Sequence, residues 1–348
     1  MNTTSTASSA NPASSPTSGP TLDTFRAVIA DDMQAVDTVI RTRLASGVVL
    51  INQIAQYIID AGGKRLRPAL VVLAGSAAGA PKAYLHEMAA VVEFIHTATL
   101  LHDDVVDESD LRRGRDTANA IFGNAASVLV GDFLYSRAFQ MMVEVGSVRV
   151  MGVMAEATNI ISEGEVLQLM NVRDADIDEE NYFRVVRYKT AKLFEAACRL
   201  GAILGNASPK DEAALAAYGM HIGTAFQLID DVLDYSGDVH ETGKNVGDDL
   251  AEGKPTLPLI FAMREGDDAQ REIIRRAIMA DDVHESGSAQ ANMEAVMAAI
   301  QATGAVDYAR AAARNEARLA EAAISNLPDS VYRDALLQLC VFAVERRY

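Results

Sequence analysis

Apolar residues recur along this chain with the spacing of helices rather than of strands. From Leu22 onward they return every three or four residues, which gives each segment one apolar stripe. In the first predicted helix this stripe consists of Phe25, Val28, Ile29, Val36, Ile40 and Leu44. The alternating pattern of a half-buried strand bounded by turn residues does not occur. The sequence therefore predicts an all-α protein, one bundle of about ten or more helices with long central members around a cavity.

Glycine and proline set the predicted helix boundaries. A helix near 50–61 stops at Gly62 and Gly63, and Pro68 is well placed to open the next helix. A long helix is predicted from about 83 to 107, followed by a charged loop over 108–116. Further helices are predicted near 118–144, 149–170, 178–204 and 211–236, then a glycine-rich break over 236–258 and four shorter helices.

The chain is expected to form a single folded domain behind an N-terminal tail. Residues 1–21 are a low-complexity stretch rich in Ser, Thr, Ala and Pro, with little to bury. We expect this tail to be disordered. No change of composition marks a second domain within residues 22–348, which are expected to form one helical unit.

Two of the predicted helices carry acidic clusters of the same form. The first cluster is Asp103, Asp104 and Asp107, and the second is Asp230, Asp231 and Asp234. Aspartates four positions apart share one helix face, where like charges cost about 0.2–0.5 kcal/mol. A single cluster is more simply a solvated helix end, but two on apolar helices indicate a bound cation. Carboxylates with no nearby cysteine favour Mg²⁺, which binds through one or two carboxylates and substrate phosphates.

Basic side chains in the loops beside these helices are candidates to bind those phosphates. They are Lys64, Arg67, Arg112, Arg113, Lys189, Lys244 and Lys254, although any one alone is as easily a solvated surface residue. His96 lies seven residues before Asp103, on roughly the same face of the helix. It is therefore either a hydrogen-bonding residue near the proposed phosphate site or a satisfied core histidine. Gln227 precedes Asp230 by three residues and is expected to project into the same cavity.

Composition excludes several other functions. The 348 residues carry a formal net charge of −17, which argues against binding nucleic acid or a polybasic contact with membranes. No apolar stretch is long enough to span a bilayer, and the N-terminus lacks the features of a secretory signal. The two cysteines, Cys198 and Cys340, lie in apolar helical contexts and are interpreted as core thiols. We therefore expect a cytoplasmic protein without a transmembrane segment.

Five segments, in order, carry a resemblance to a known family. They are GGKRLRP (62–68), DDVVDESDLRRG (103–114), KTA (189–191), GTAFQLIDDVLD (223–234) and GKNVGDDLAEGKPTLP (243–258). From about residue 22 to the C-terminus the chain resembles the trans-polyprenyl diphosphate synthases, the head-to-tail prenyltransferases. The segment 107–133 is most similar to long-chain bacterial members of the octaprenyl type. One departure is Asp116, where many relatives have proline, but this position supplies no ligand.

The resemblance implies antiparallel helices around a deep cavity, the isoprenoid synthase fold, and a homodimer. It implies that Mg²⁺ bridges the diphosphate of an allylic prenyl substrate to the metal ligands Asp103, Asp107, Asp230, Asp231 and Asp234. The implied catalytic set comprises these five together with Asp104 and Lys189. The allylic site would be completed by Arg112, Lys189, Thr190, Gln227, Lys244 and Lys254. Isopentenyl diphosphate would be held by Gly63, Lys64, Arg67, His96 and Arg113.

The length of the product is expected to depend on side chains below the first aspartate cluster. A growing prenyl tail needs an apolar tunnel, because each buried CH₂ contributes about 0.8 kcal/mol. Ala98 and Thr99 lie five and four residues before Asp103, where shorter-chain relatives have a blocking aromatic residue. Their small size predicts a product of about octaprenyl length, suited to a quinone side chain. Phe133, Phe139 or Met142 are candidates for the tunnel floor, and Ala98 as a simple packing residue is the alternative.

Three other functions are compatible with parts of this pattern. A shorter-chain, geranylgeranyl-type synthase would share the motifs and differ only in the tunnel. A terpene cyclase would need the aspartates but not the Lys64, Arg67 and His96 site for a second diphosphate. A regulatory subunit of a heteromeric synthase is expected to have lost aspartates from one cluster, and both are intact here.

Overall fold

The computed structural model describes residues 22–60, 62–112, 114–236, 247–280 and 288–346. The predicted tail 1–21 and part of the predicted break, 237–246, lie outside these ranges. The first helices are α1 (Leu22–Arg26), α2 (Ala30–Leu44), α3 (Val49–Asp60), α4 (Leu66–Ala77) and α5 (Lys82–Val106). They are followed by α6 (Ala118–Phe122), α7 (Asn124–Val145), α8 (Val148–Asn171), α9 (Glu179–Val185), α10 (Lys192–Leu204) and α11 (Pro209–Ser236). The remainder are α12 (Asp248–Ala251), α13 (Leu257–Glu265), α14 (Asp268–Ile278), α15 (Ser288–Thr303), α16 (Ala305–Ala323) and α17 (Val331–Glu345).

The prediction of an all-α bundle is confirmed, with local corrections. The predicted helix 118–144 is two helices, because Gly123 between them has φ 86° and ψ 153°, a conformation that ends α6. Five helices rather than four lie between residue 257 and the end of the described chain. The loop 108–116 contains two short antiparallel strands, in which Leu111 pairs with Asp116 and Arg112 with Arg115.

Two interruptions occur inside predicted helices. The turn Ala27–Ile29 is a 3₁₀ helix between α1 and α2. It breaks the predicted apolar stripe, so Val28 is exposed while the other five members are buried. Between α9 and α10 the segment Val186–Ala191 is a π-helix, whose wider turn rotates the following residues relative to an α-helix. The π-helix contains Lys189 and Thr190 and therefore affects the candidate site.

The core divides around the long helix α11. Its first half packs with α4, α5, α7, α8 and α10 in the largest group of buried apolar side chains. Its second half, from Leu228 to Val232, packs against α13 and α16. A third group lies between α13, α14 and α15. Cys198 and Cys340 are both buried thiols of the largest group, as predicted. Within the described residues, no helix has the length and hydropathy of a bilayer-spanning segment.

Candidate active site

The first aspartate cluster lies where the apolar helix α5 ends. Asp103 and Asp107, four residues apart, each meet a lysine from a distant segment. Lys189 Nζ lies 3.7 Å from Asp103 Oδ2, and Lys254 Nζ lies 2.8 Å from Asp107 Oδ2. The two aspartates that share a helix face, as predicted, therefore turn toward the part of the molecule that carries the second cluster.

Asp104 differs from its two neighbours in the cluster. Its side chain is buried, and its Oδ1 accepts a hydrogen bond of 2.6 Å from Nε of Arg112. Burial raises the pKa of Asp104, and the charge of Arg112 opposes that rise. The side-chain amide of Asn119 donates a hydrogen bond to the backbone oxygen of Asp104. Asp104 and Arg112 thus anchor the loop after α5 in this structure.

The second cluster, on α11, is held by a different set of partners. Asp231 is only 2% exposed; its Oδ2 accepts from the Tyr182 hydroxyl and its Oδ1 accepts from Gln227 Nε2 at 2.8 Å. Burial, reinforced by the charge of Asp249, raises the pKa of Asp231 to about 8. The backbone N–H of Asp249 donates to Asp234 at 3.3 Å.

Asp230 is the open member of the second cluster. Its carboxylate, 41% exposed, lies 2.7 Å from a guanidinium nitrogen of Arg346, whose own side chain is almost entirely buried. Arg346 also donates to the backbone oxygen of Phe226 and stacks over that ring. The C-terminal end of the chain therefore contributes a cation to the site, one that the sequence analysis did not identify.

The π-helix presents Lys189 and Thr190 to the same region. Lys189 Nζ lies 2.5 Å from both Glu165 Oε2 and Gln168 Oε1 on α8, and Thr190 Oγ1 donates to Gln227 Oε1 at 3.1 Å. Burial, together with the charge of Asp103, raises the pKa of Glu165 to about 7 against the opposing effect of Lys189. Lys189 is therefore surrounded by carboxylates from two helices.

Glycines allow the helices on either side to approach this π-helix. A Cβ atom at Gly164 of α8 would lie 2.6 Å from the backbone nitrogen of Lys189, and one at Gly223 of α11 would lie 2.7 Å from Cα of Ala191. Both distances are shorter than real Cβ contacts allow. The position of Lys189 and Thr190 thus depends on the absence of side chains at these two glycines.

One cavity brings these residues together. Its walls include Lys189, Thr190, Gln227, Asp231, Asp249 and Lys254, which come from three separate segments of the chain. Asp103 and Asp107 border it through their contacts with Lys189 and Lys254. The structure therefore unites the candidate residues of the KTA segment, the second aspartate cluster and the segment around Lys254.

A second group of cations lies around two phenylalanines. Nη1 of Arg67 is 3.0 Å from Nε2 of His96, and its guanidinium stacks 4.6 Å from the ring of Phe194. Lys64 lies over the ring of Phe226, 5.7 Å from its centroid. The two rings contact each other, with centroids 5.8 Å apart. Three predicted residues of the second diphosphate site are thus neighbours. Gly63 precedes them on the exposed loop, whereas Arg113 and Lys244 lie outside the described residues.

The predicted chain-length residues lie deeper in the bundle. Ala98 is completely buried in the largest apolar group. Thr99 is partly buried and its hydroxyl donates to the backbone oxygen of His96 at 2.8 Å. Among the candidate floor residues, Met142 is buried in the same group, and Phe133 and Phe139 pack against it from partly buried positions.

Several residues of the candidate site were not predicted from the sequence. They are Glu165, Gln168, Tyr182, Asp249 and Arg346. Asp249 lies inside the quoted segment 243–258 and so has a local signal. The others come from helices with no recognisable motif or, for Arg346, from the residue after the last helix. Only the packing of α8 and α9 against the π-helix, and of α17 against α11, brings them into contact with the aspartates and Lys189.

The carboxylates suit a magnesium ion that a substrate helps to hold. The aspartates that border the cavity offer hard oxygen ligands. In this structure each of them contacts a lysine, an arginine or a hydroxyl group. Across the described ranges, no three acidic, histidine or cysteine side chains lie close enough to hold an ion unaided. The six aspartates therefore do not form one closed cage. Mg²⁺ usually takes one or two carboxylates and completes its shell with water and phosphate, which this arrangement permits.

Comparison with known proteins identifies the class. Residues 48–296 match the family described as polyprenyl synthetase, and the chain belongs to this family. It is 54% identical over 325 residues to octaprenyl diphosphate synthase of Escherichia coli (strain K12), covering 93% of this chain and 99% of that protein. It is 50% identical over 327 residues to octaprenyl diphosphate synthase of Haemophilus influenzae (strain ATCC 51907 / DSM 11121 / KW20 / Rd), covering 94% of this chain and 98% of that protein.

A solved structure shares the fold. The polyprenyl synthase of Caulobacter crescentus CB15, crystallised with calcium and isoprenyl diphosphate, superimposes with a TM-score of 0.89 at 42% identity. The match covers 96% of this chain and all of that one. The isoprenoid synthase fold expected from the motifs is confirmed.

Proposed function

We propose that this protein is a Mg²⁺-dependent long-chain all-trans-polyprenyl diphosphate synthase. It condenses an allylic prenyl diphosphate with successive molecules of isopentenyl diphosphate to give a product of about octaprenyl length. The observation that carries the proposal is the cavity where Lys189 and Lys254 face Asp103 and Asp107 beside the second cluster. The identity to two octaprenyl diphosphate synthases supports the product class.

In this proposal the allylic diphosphate binds between the two aspartate clusters. Asp103 and Asp107 on one side, and Asp230, Asp231 and Asp234 on the other, would hold the magnesium. When bound, Mg²⁺ neutralises charge on the departing diphosphate. Lys189 and Lys254, freed from their carboxylates, add charge stabilisation at the same leaving group.

The second substrate is assigned to the cations around the phenylalanines. Lys64 and Arg67 bind the diphosphate of isopentenyl diphosphate, with His96 as a further hydrogen-bond partner. The rings of Phe194 and Phe226 keep water from the space between the two sites, which favours attack by the double bond over hydrolysis. The released diphosphate takes the proton lost after condensation, so the protein need not supply a base.

Incubation with labelled isopentenyl diphosphate and a short allylic diphosphate tests the reaction. We expect incorporation of label and a polyprenyl diphosphate of about forty carbons by mass spectrometry, abolished by a chelator and restored by Mg²⁺. A product without label would indicate a terpene cyclase. Absence of turnover by the isolated chain would favour a regulatory subunit.

Ala98 and Thr99 are proposed to leave the tunnel open for a long tail. In Ala98→Tyr the phenol ring would occupy the path below Asp103, so we expect products of about fifteen to twenty carbons. Ala98→Ser keeps the side chain small and is the matched control, with product length unchanged. If Ala98→Tyr folds and still makes the full-length product, the tunnel does not pass this residue and a packing role is correct.

We also propose that the protein is a homodimer that supplies a quinone side chain. Large apolar side chains stand exposed on α7 and α8, among them Leu129, Val143, Leu169 and Met170. Burying such side chains against a second copy would favour association. Sedimentation equilibrium checks the dimer, and a deficit of quinone in a deletion strain checks the pathway.

A further inference from the structure

Glu93 is a buried charge on the apolar helix α5. It is only 8% exposed, in a stretch from Met88 to Ala98 where most neighbours are fully buried apolar residues. Its carboxylate forms a salt bridge and hydrogen bond with Nη1 of Arg65, in the loop before α4. A buried carboxylate is costly unless it is paired, so folding alone would favour an apolar residue here. The pairing therefore calls for another explanation.

Arg65 has an unusual backbone conformation. Its φ of 46° and ψ of 34° lie in the left-handed region, which residues with a side chain adopt at a cost. Arg65 is the residue before the first turn of α4, and its side chain makes no capping hydrogen bond there. Such a conformation persists where the surroundings hold it. Two contacts of Arg65 can do so: its side chain pairs with Glu93, and its backbone oxygen accepts a hydrogen bond of 3.1 Å from the N–H of Ala69.

The residues on either side of Arg65 are those assigned to the second diphosphate. Lys64 precedes it, and Arg67 follows two positions later and contacts His96 on α5 at 3.0 Å. His96 is one helical turn beyond Glu93, so two neighbouring side chains of α5 contact Arg65, just before α4, and Arg67, in its first turn. Nη2 of Arg26 donates a hydrogen bond of 2.5 Å to the backbone oxygen of Lys64.

We propose that Glu93 and Arg65 are a positioning pair for the isopentenyl diphosphate site. The salt bridge holds Arg65 in its left-handed conformation, and this conformation directs Lys64 and Arg67 toward one diphosphate. Neither member of the pair touches substrate in this account. The inference rests on the proposed function, because it assigns Lys64 and Arg67 to that substrate.

Glu93→Gln tests the pair by removing the charge with almost no change in shape. If Lys64 and Arg67 then adopt the binding arrangement only about one tenth of the time, the apparent affinity for isopentenyl diphosphate falls about tenfold. We expect the KM for isopentenyl diphosphate to rise about tenfold, with kcat and the KM for the allylic substrate within about twofold of wild type. Calorimetry with isopentenyl diphosphate alone should show the same loss of affinity. Glu87→Gln is the matched control, because Glu87 lies on α5 and pairs with Arg43; it should change none of these constants.

A second variant separates positioning from a simple loss of structure or charge. Glycine adopts the left-handed conformation without penalty. In Arg65→Gly/Glu93→Gln the pair is absent but the conformation is accessible, so we expect the KM for isopentenyl diphosphate to return to within about threefold of wild type. If the double variant is as impaired as Glu93→Gln, Arg65 acts through its charge and the proposal is overturned.

The remaining outcomes are also decisive. Should Glu93→Gln fail to fold, Glu93→Asp keeps the charge but retracts it by one methylene, and we expect about a threefold rise in the same KM. An unchanged KM in a folded Glu93 variant overturns the positioning role while wild-type turnover still supports the proposed function. If wild type neither binds nor incorporates isopentenyl diphosphate, the proposed function itself has failed.

Discussion

The contact between Gly164 and the π-helix gives a sharp prediction about Lys189. In Gly164→Ala the new Cβ would lie 2.6 Å from the backbone nitrogen of Lys189 and 2.9 Å from two atoms of Tyr188. Ordinary contact begins at 3.4 Å, so α8 and the π-helix must separate by about 0.8 Å. Because the nearest atom is backbone, no rotamer change can relieve the clash.

The expected effect on catalysis is large for so small a change. A misplacement of about 1 Å can cost about a hundredfold in rate when it affects groups that position substrate. We expect kcat/KM for the allylic substrate to fall tenfold to a hundredfold, with the KM for isopentenyl diphosphate within about twofold. The overpacking should also destabilise the protein by about 1–3 kcal/mol, partly offset by the better helix propensity of alanine, worth up to about 1 kcal/mol.

Gly152→Ala on the same helix is the matched control. A Cβ there meets no atom within 4 Å, so the variant gains helix propensity without a clash. We expect it to be up to about 1 kcal/mol more stable than wild type in urea unfolding, with unchanged steady-state kinetics. If Gly164→Ala matches this control in kcat/KM, the close approach of α8 does not position Lys189.

Three further predictions concern stability and reactivity. Because the pKa of Asp231 is raised from 3.8 to about 8, the folded state holds a proton that the unfolded state has lost, and stability falls as pH rises across this window. Asp231→Asn removes a proposed metal ligand and should be inactive. It should also become increasingly more stable than wild type from pH 5 to 7.5, by at most about 1.4 kcal/mol per pH unit. A stability difference in urea unfolding that does not change with pH would contradict this. Gly123→Ala should lose about 1–3 kcal/mol in the same assay, because its backbone region suits only glycine, and equal stability would contradict that assignment. Burial raises the pKa of both Cys198 and Cys340, so a thiol reagent at pH 8 should label neither until the protein is unfolded, and rapid labelling of the native protein would show that one is exposed.

Helical periodicity determined the parts of this protein that depend on near neighbours in the chain. The spacing of apolar residues predicted α5 and α11 closely. The same helical periodicity predicted that Asp103 and Asp107 share one face of α5. It failed where the local geometry departs from an α-helix, at the 3₁₀ turn that exposes Val28, at Gly123 and at the π-helix. Such departures are fixed by what packs against the segment, as Gly164 packs against the π-helix.

Local patterns predicted most of the charged residues that line the candidate site, because two aspartate clusters and their nearby cations can be seen along the chain. Which of these charges meet depends on how the helices pack together. Asp104 and Asp107 belong to one motif, yet one pairs with Arg112 in the following loop and the other with Lys254, far away in the chain. No periodicity reports that Arg346 reaches Asp230 or that Arg65 reaches Glu93. These pairs depend on the packing of whole helices, and packing is a property of the assembled core rather than of any one segment.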